Sequence, residues 1–280
     1  MLTLRPSRSC MGPISLSLFL LCASTVFAQD AKALRVGIDA DNEPWSFVPS
    51  RLRLYFSGPR QEGVPRPATR EELGAIGGID VEVARALARR MGATVEFVTD
   101  EWPNLEDGLL KHRFDVIVNS WTPGRGTRRK IQASDPYYFW GLQVAVRSDN
   151  AVIRSLRDLV GVKVAHTEDP AVEEVLQGLH AVSSGPYAEE RDLFRDLETG
   201  VVPVVIADSV YVRWRVANSR SFRTVGGPLN RLGYHVAVRV EDAELFHKVQ
   251  EAVRAFVASP QLDEIRRHWE ALDASPVPKE

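Results

Sequence analysis

The segment Phe114–Tyr138, which reads FDVIVNSWTPGRGTRRKIQASDPYY, restricts the possible folds of this chain most strongly. It begins with the apolar run 116–118, which predicts a buried strand. Asn119-Ser120-Trp121-Thr122 follows at once, and a Pro-Gly turn then leads into a loop rich in arginine. Open α/β sheets bind ligands at the carboxyl ends of their strands, where a guanidinium can hold a carboxylate through two parallel hydrogen bonds. The segment therefore predicts an α/β fold with a ligand site at a sheet edge.

The first 28 residues have the features of a secretory signal. Arg5 and Arg8 precede the apolar run Ile14–Cys22, which is too short to span a bilayer. Val26-Phe27-Ala28 offers small residues at the cleavage positions, so we expect the mature chain to begin at Gln29. An uncleaved anchor is the alternative. A cleaved signal predicts export to the periplasm.

Cysteine and charge counts exclude several classes of function. Cys10 and Cys22 are the only cysteines, and both lie in the signal, so the mature chain has no disulfide or thiol chemistry. Without the two signal arginines, 33 basic residues stand against 37 acidic ones. This balance does not favour binding to nucleic acid or to an anionic membrane.

Predicted strands and helices alternate along the mature chain. The helix Asp80–Met91 has the clearest periodicity, since Val83, Ala84 and Leu87 share one face and Gly92 follows its end. The order predicts parallel sheets flanked by helices. The alternating segments are 34–39, 80–91, 94–98, 105–111, 114–119, 142–147, 162–165, 172–179, 189–197, 201–207, 210–217, 234–238 and 243–258.

One long segment, Val48–Ile76, breaks this alternation. It is rich in Gly, Pro and Arg and has no sustained periodicity. Such a segment is either a long functional loop or a partly ordered surface flap.

Five short motifs occur in a fixed order along the chain. They are Glu43–Phe47 (EPWSF), Gly78–Ala84 (GIDVEVA), Phe114–Ile117 (FDVI), Ser134–Tyr138 (SDPYY) and Ser155–Val164 (SLRDLVGVKV). Each is weak alone, but in this order and spacing they resemble the bacterial extracellular solute-binding proteins of family 3. These are the polar amino-acid-binding receptors of ABC transporters. The resemblance covers nearly the whole mature chain.

The resemblance implies a two-lobed, periplasmic-binding-protein-like α/β fold with two hinge strands and a central ligand cleft. Lobe 1 would comprise 29–140 plus 233–280, and lobe 2 would comprise 141–232. The hinges would lie near Phe139–Leu142 and Leu232–Tyr234.

The function implied is capture of a small polar, amino-acid-like solute and its presentation to an inner-membrane ABC permease. We expect a periplasmic monomer that is not an enzyme and that binds no cofactor, metal or nucleic acid. The six histidines lack the spacing of metal ligands.

Four residues of lobe 1 match ligand-binding positions of the family. Asp39 matches an acid that contacts the side chain of basic ligands, with a loop-stabilising carboxylate as the alternative. Trp102 matches an aromatic that stacks on the ligand, with surface packing as the alternative. Ser120 and Thr122 match donors to the ligand carboxylate, with ordinary turn chemistry as the alternative.

The family arginine that holds the carboxylate has two candidates. Counting back from Asp135 in the family pattern gives Thr127, and Arg128 is one residue later. Arg125 keeps a Thr-x-x-Arg spacing from Thr122. We predict Arg128 and keep Arg125 as the alternative.

Asp208 matches the family acid that accepts the ligand's α-ammonium, and an N-cap of the following helix is the alternative. The family usually has glycine-threonine-threonine or glycine-threonine-serine at the start of the first lobe-2 helix, where this chain has Asp169-Pro170-Ala171. Asn42 stands where an aromatic is common. Both departures count against an ordinary α-amino acid as the ligand.

Other function classes stay open. A periplasmic cyclohexadienyl-dehydratase-like enzyme has the same fold and would need a cleft acid such as Glu168 or Glu173. A sensor domain that signals to a membrane partner is a third possibility. Asp41-Asn42 before Pro44 also resembles binding proteins associated with quinoprotein dehydrogenases.

Overall fold

The computed structural model describes residues 33–49, 69–124, 129–168 and 171–270. The proposed signal segment, most of Val48–Ile76, and both candidate arginines, Arg125 and Arg128, lie outside the described residues. So do Asp169 and Pro170. Within the described ranges, none of the helices combines the length and apolar character that a bilayer span requires.

The strands and helices follow in a single alternating series. The strands are β1 (Ala33–Ile38), β2 (Asp41–Asn42), β3 (Ser46–Phe47), β4 (Thr94–Thr99), β5 (Val116–Ile117), β6 (Ile131–Trp140), β7 (Leu142–Arg147), β8 (Lys163–Thr167), β9 (Val182–Tyr187), β10 (Val204–Asp208), β11 (Phe222–Val225) and β12 (Leu232–Arg239). The helices are α1 (Arg70–Gly74), α2 (Ile79–Arg90), α3 (Leu105–Leu110), α4 (Val172–Gly178), α5 (Glu190–Thr199), α6 (Ser209–Asn218), α7 (Ala243–Val257) and α8 (Gln261–Glu270).

Ten of these strands form two five-stranded sheets. The first sheet has the order β4-β1-β5-β12-β6, and the second has the order β11-β7-β10-β8-β9. In the first, β1 is parallel to β4 and β5, but β12 is antiparallel to β5 and β6. In the second, β8 is parallel to β9 and β10, but β7 is antiparallel to β10 and β11.

The prediction of parallel sheets was therefore wrong, because both sheets are mixed. The physical reason is the path of the chain. β7 and β12 are the strands by which the chain enters one sheet from the other, and they run opposite to the strands that helices connect within a sheet. The local sequence pattern carries no signal for that direction.

The chain passes from the first sheet to the second at Gly141, between β6 and β7. A side chain at this position would collide with the backbone carbonyl oxygen of Asn230, so only glycine fits. The Gly141 carbonyl accepts a hydrogen bond from the Ser209 amide at 2.7 Å, and the Asn230 side chain accepts one from the Leu142 amide at 2.8 Å. These bonds hold the crossover at the start of α6.

The boundaries of the two lobes remain predictions.

Candidate functional site

The carboxyl ends of β1 and β5 are joined by a buried asparagine. The Asn119 Oδ1 atom accepts hydrogen bonds from the Asp39 amide at 2.9 Å and from the Ser46 hydroxyl at 2.8 Å. Asn119 is fully buried, so these bonds form away from water, where leaving them unmade would be costly. They fix the loop that follows β1 against the loop that follows β5.

Asp39 directly follows β1, and both of its carboxylate oxygens are already engaged. Oδ1 accepts from the Asp41 amide at 2.9 Å, and Oδ2 accepts from the Trp102 amide at 3.0 Å. Burial raises the pKa of Asp39 to about 6, against the lowering effect of these two donors. This is the geometry of a loop-stabilising carboxylate. Contact with a ligand side chain stays a prediction.

The Trp102 side chain is 53% exposed, so its ring has free surface for a ligand. The backbone of the same residue is fixed, because its amide donates to Asp39. The stacking role stays a prediction.

Ser120 has a positive φ of 46°, which turns its amide toward the start of α2. That amide donates to Oδ2 of Asp80 at 2.6 Å, and the Tyr137 hydroxyl donates to Oδ1 of Asp80 at 2.6 Å. Burial raises the pKa of Asp80 to about 7. The Ser120 hydroxyl accepts from the Asn42 side chain at 3.2 Å, which leaves its own proton for a ligand.

Thr122 is exposed, and its hydroxyl lies 3.5 Å from the Gly233 carbonyl oxygen, the limit for a hydrogen bond. This weak contact leaves the Thr122 side chain available. The carboxylate-binding roles of Ser120 and Thr122 stay predictions.

Asp208 ends β10 and is the N-cap of α6. Its Oδ1 accepts from the Val210 amide at 2.6 Å, as the N-cap alternative required. Its Oδ2 accepts from the hydroxyl of Tyr234, which belongs to the first sheet. Burial raises the pKa of Asp208 to about 6, against the lowering effects of these donors and of Arg213. Contact between an α-ammonium and Asp208 stays a prediction.

Tyr234 is held by two indoles. Its ring stacks on Trp140 with centroids 5.0 Å apart and 8° between planes, and it meets Trp45 edge-on at 4.8 Å. The ring is therefore fixed on both sides. The Tyr234–Asp208 hydrogen bond joins the two sheets beside the Gly141 crossover.

The sequence analysis did not name five residues that lie near this junction. Tyr137 and Tyr234 lie on β6 and β12, Asp80 opens α2, Glu43 lies between β2 and β3, and Glu190 opens α5. An acid in the first turn of a helix indicates only helix stabilisation. Glu43 and Glu190 are 147 positions apart, so no local pattern relates them.

The acids suggested for an enzymatic role do not have a suitable environment. Glu168 and Glu173 are both exposed. A general acid for a leaving hydroxyl is expected in a protected cleft, where burial adjusts its pKa. Among the described residues, no group of three His, Cys, Asp or Glu side chains is placed to hold a metal ion.

Curated relatives of this chain are binding proteins. The L-cystine-binding protein TcyJ of Escherichia coli (strain K12) is 25% identical over 205 residues, which are 72% of this chain and 77% of that protein. The arginine-binding extracellular protein ArtP of Bacillus subtilis (strain 168) is 24% identical over 215 residues, 73% of this chain and 82% of that protein.

Solved structures agree with the two-sheet architecture. A P235GK mutant of ArgBP from T. maritima has a TM-score of 0.63 and 26% identity, covering 86% of this chain and 96% of its own. The ancestral amino acid-binding protein AncCDT-1, a precursor of cyclohexadienyl dehydratase, has a TM-score of 0.63 and 25% identity, covering 85% and 95%.

The family itself is settled by the sequence. Residues 61–271 match the bacterial extracellular solute-binding proteins, family 3, and this match covers well over half of the chain. It confirms the resemblance drawn from the five motifs. The chain therefore belongs to the bacterial extracellular solute-binding proteins, family 3.

Proposed function

We propose that this chain captures a small polar, amino-acid-like solute between two lobes and presents it to an inner-membrane ABC permease. The lobes are those predicted from the sequence, 29–140 plus 233–280 and 141–232. The protein works as a periplasmic monomer without catalysing a reaction.

One observation carries this proposal: Asp208, at the end of a strand of the second sheet, accepts a hydrogen bond from Tyr234 of the first sheet. Asp39 and Ser120 follow strands of the first sheet, and Asp208 ends a strand of the second. Sheets of this type bind ligands at such edges. The relatives named for L-cystine and for arginine support an amino-acid-like solute.

In this proposal the carboxylate of the solute is held by the Ser120 hydroxyl, Thr122 and Arg128, with Arg125 as the alternative arginine. Trp102 offers an exposed ring for stacking. Asp39 holds the backbone of Trp102 in place by accepting a hydrogen bond from its amide.

A thermal-shift screen of amino acids, cystine, polyamines and small carboxylates tests the proposal. A ligand at 100 times its dissociation constant should add about 2.7 kcal/mol to the free energy of unfolding. Solution scattering with the best ligand should then show a smaller particle, because closure brings the lobes together. No stabilising solute, or binding without compaction, would contradict the proposal.

A second candidate function, a dehydratase, is supported by the likeness to the precursor of cyclohexadienyl dehydratase. It would require an acid other than the exposed Glu168 and Glu173. Incubation with prephenate or arogenate separates the two functions, because a binding protein leaves both compounds unchanged. Turnover would assign the chain to the enzyme class.

A further inference from the structure

We propose that Asp80 and Tyr137 are positioning residues for solute binding: their hydrogen bonds hold the Ser120 backbone and leave only its hydroxyl to donate to the solute carboxylate. This inference rests on the proposed function, in which Ser120 contacts that carboxylate. It adds how the contact is made and on which buried residues it depends.

The backbone of Ser120 lies in a region that serine rarely adopts. Its φ is 46°, whereas most residues other than glycine have a negative φ. Backbone strain of this kind persists only where the surrounding structure holds it, and it is common at ligand clamps. The contacts around Ser120 therefore have to account for its conformation.

Asp80 and Tyr137 supply those contacts. The Ser120 amide donates to Oδ2 of Asp80 at 2.6 Å and also to the Tyr137 hydroxyl oxygen at 3.2 Å. The Tyr137 hydroxyl donates in turn to Oδ1 of Asp80 at 2.6 Å. The three groups thus form a closed ring of hydrogen bonds. Because Asp80 and Tyr137 are fully buried, these bonds are strengthened by the low local dielectric.

Asp80 does not act as a helix cap, although it stands in the first turn of α2. The N-cap of α2 is Gly78, and no described side chain caps the start of this helix. Both Asp80 oxygens instead accept from groups outside α2, on the segment that follows β5 and on β6. The carboxylate therefore serves the segment of Ser120 rather than its own helix.

The backbone at Asp80 is itself fixed. Its amide donates to the Trp45 carbonyl oxygen at 2.8 Å. Gly78 has a φ of 127°, and a Cβ at this position would collide with the same carbonyl oxygen. These contacts hold the start of α2 against the loop between β2 and β3. The Asp80 carboxylate therefore approaches Ser120 from a rigid support.

The same contacts decide which Ser120 donor can serve a solute. The amide has a single hydrogen, which is already shared between Asp80 and Tyr137. The Ser120 hydroxyl accepts from the Asn42 side chain at 3.2 Å, so its own proton can still be donated. Ser120 is half-buried rather than sealed from solvent. The solute carboxylate therefore receives its hydrogen bond from the hydroxyl.

Calorimetric titrations of the mature chain at pH 8 test this inference through a double-mutant cycle. The probes are L-arginine, L-glutamine and succinate, which all carry a carboxylate, and the cycle uses the probe that binds wild type most tightly. If Asp80 acts through Ser120, its loss should matter only while the Ser120 hydroxyl is present. The variants are Asp80→Ala, Asp80→Asn, Tyr137→Phe, Ser120→Ala and the double variant Asp80→Ala with Ser120→Ala.

Asp196→Ala is the matched control. Asp196 also accepts from a tyrosine hydroxyl, that of Tyr187 at 2.8 Å, but it belongs to α5, and no described contact joins it to Ser120. The affinity of this control should stay within about twofold of wild type, because distant sites act independently.

Ser120→Ala should lower the affinity at least about tenfold, because a hydrogen bond to a charged group is lost. Asp80→Ala should lower it by a similar factor, and the double variant should bind within about twofold of Ser120→Ala. Asp80→Asn should bind within about threefold of wild type, because its amide oxygen can still accept from the Ser120 amide. Tyr137→Phe should cost about threefold, because it removes one support of Asp80.

Two further measurements separate lost positioning from lost folding. Thermal melting identifies any variant that does not fold, and if Asp80→Ala fails, Tyr137→Phe combined with Ser120→Ala completes the same cycle. The Ser120 amide proton can be followed by NMR without solute. It should move upfield when its bond to Asp80 is lost or weakened, and it should stay near its wild-type position in Asp80→Asn.

Three results would overturn the inference while the proposed function stands. They are wild-type affinity in Asp80→Ala, wild-type affinity in Ser120→Ala, and an equal loss of affinity on Asp80→Ala with and without the Ser120 hydroxyl. If none of the three probes binds wild type, the inference is also wrong, and the wider solute screen decides on the proposed function. Binding of no solute in that screen would contradict both.

Discussion

Two groups of acids near the sheet junction, all buried or half-buried, differ in how many hydrogen bonds the protein itself donates to them. Asp39, Asp80 and Asp208 each accept hydrogen bonds at both oxygens. Glu43 accepts none from another described residue, and Glu190 accepts one. Each of the three aspartates accepts from at least one backbone amide.

This difference in hydrogen bonding separates the acids in a way that their pKa values do not. The pKa is raised in all five acids, so a raised pKa does not distinguish the two groups. Satisfaction by internal donors does distinguish them. We interpret the aspartates as scaffold, because both oxygens of each accept hydrogen bonds from within the protein.

The sharpest test of the aspartate group is Asp80→Asn. The amide can still accept from the Ser120 amide and can donate to the Tyr137 oxygen, so the fold should be kept. Burial raises the Asp80 pKa from 3.8 to about 7, so the proton is held more tightly in the folded state. Stability from this group is therefore full at low pH and is lost as pH rises from about 4 to about 7.

Relative to wild type, Asp80→Asn should gain up to about 4 kcal/mol in free energy of unfolding between pH 4 and pH 8. Urea denaturation at several pH values measures this difference. A difference that does not change with pH would show that Asp80 titrates like an exposed carboxylate.

A pair of tyrosine variants gives the next largest effect. Tyr234→Phe removes the donor to buried Asp208 and should lower the free energy of unfolding by about 1.5 kcal/mol. Tyr187→Phe is the control, because the Tyr187 hydroxyl also donates to an aspartate, Asp196 at 2.8 Å, but nearer the surface. It should cost less than about 1 kcal/mol. Equal losses of stability in the two variants would show that the Tyr234–Asp208 hydrogen bond contributes no more than the Tyr187–Asp196 hydrogen bond.

The smallest effect is expected for Glu43→Gln in the absence of solute. Since burial raises the Glu43 pKa, its charge opposes folding, and this cost appears as pH rises above the unfolded value. The variant should be more stable than wild type at pH 8 and equal to it near pH 4. Glu189→Gln should change stability little at either pH. A loss of stability in Glu43→Gln at pH 8 would mean that the carboxylate has a structural partner.

Much of the fold was predictable, because apolar runs and helical periodicity determine local structure. The sequence predicted α2 and β7 to within a residue, as comparison of Asp80–Met91 and Leu142–Arg147 with the observed bounds shows. It missed β6 and β9, which contain Pro136 and Pro186 and many polar residues. Strand direction was wrong for β7 and β12, because it depends on the path between sheets.

The site was predictable only where a residue ends a local element. Asp39 and Asp208 stand at strand ends, and the sequence places them there. Their internal partners, Trp102 and Tyr234, could not be predicted, because those contacts join segments distant in sequence.

The packing around Tyr234 has an optical consequence. Two indoles, Trp45 and Trp140, touch one phenol ring whose hydroxyl is bonded across to the other sheet. Any rotation between the sheets must disturb that phenol and with it the surroundings of both indoles. The intrinsic tryptophan fluorescence of the unlabelled protein should therefore change when the two sheets move relative to one another. Solute binding could then be followed without a label.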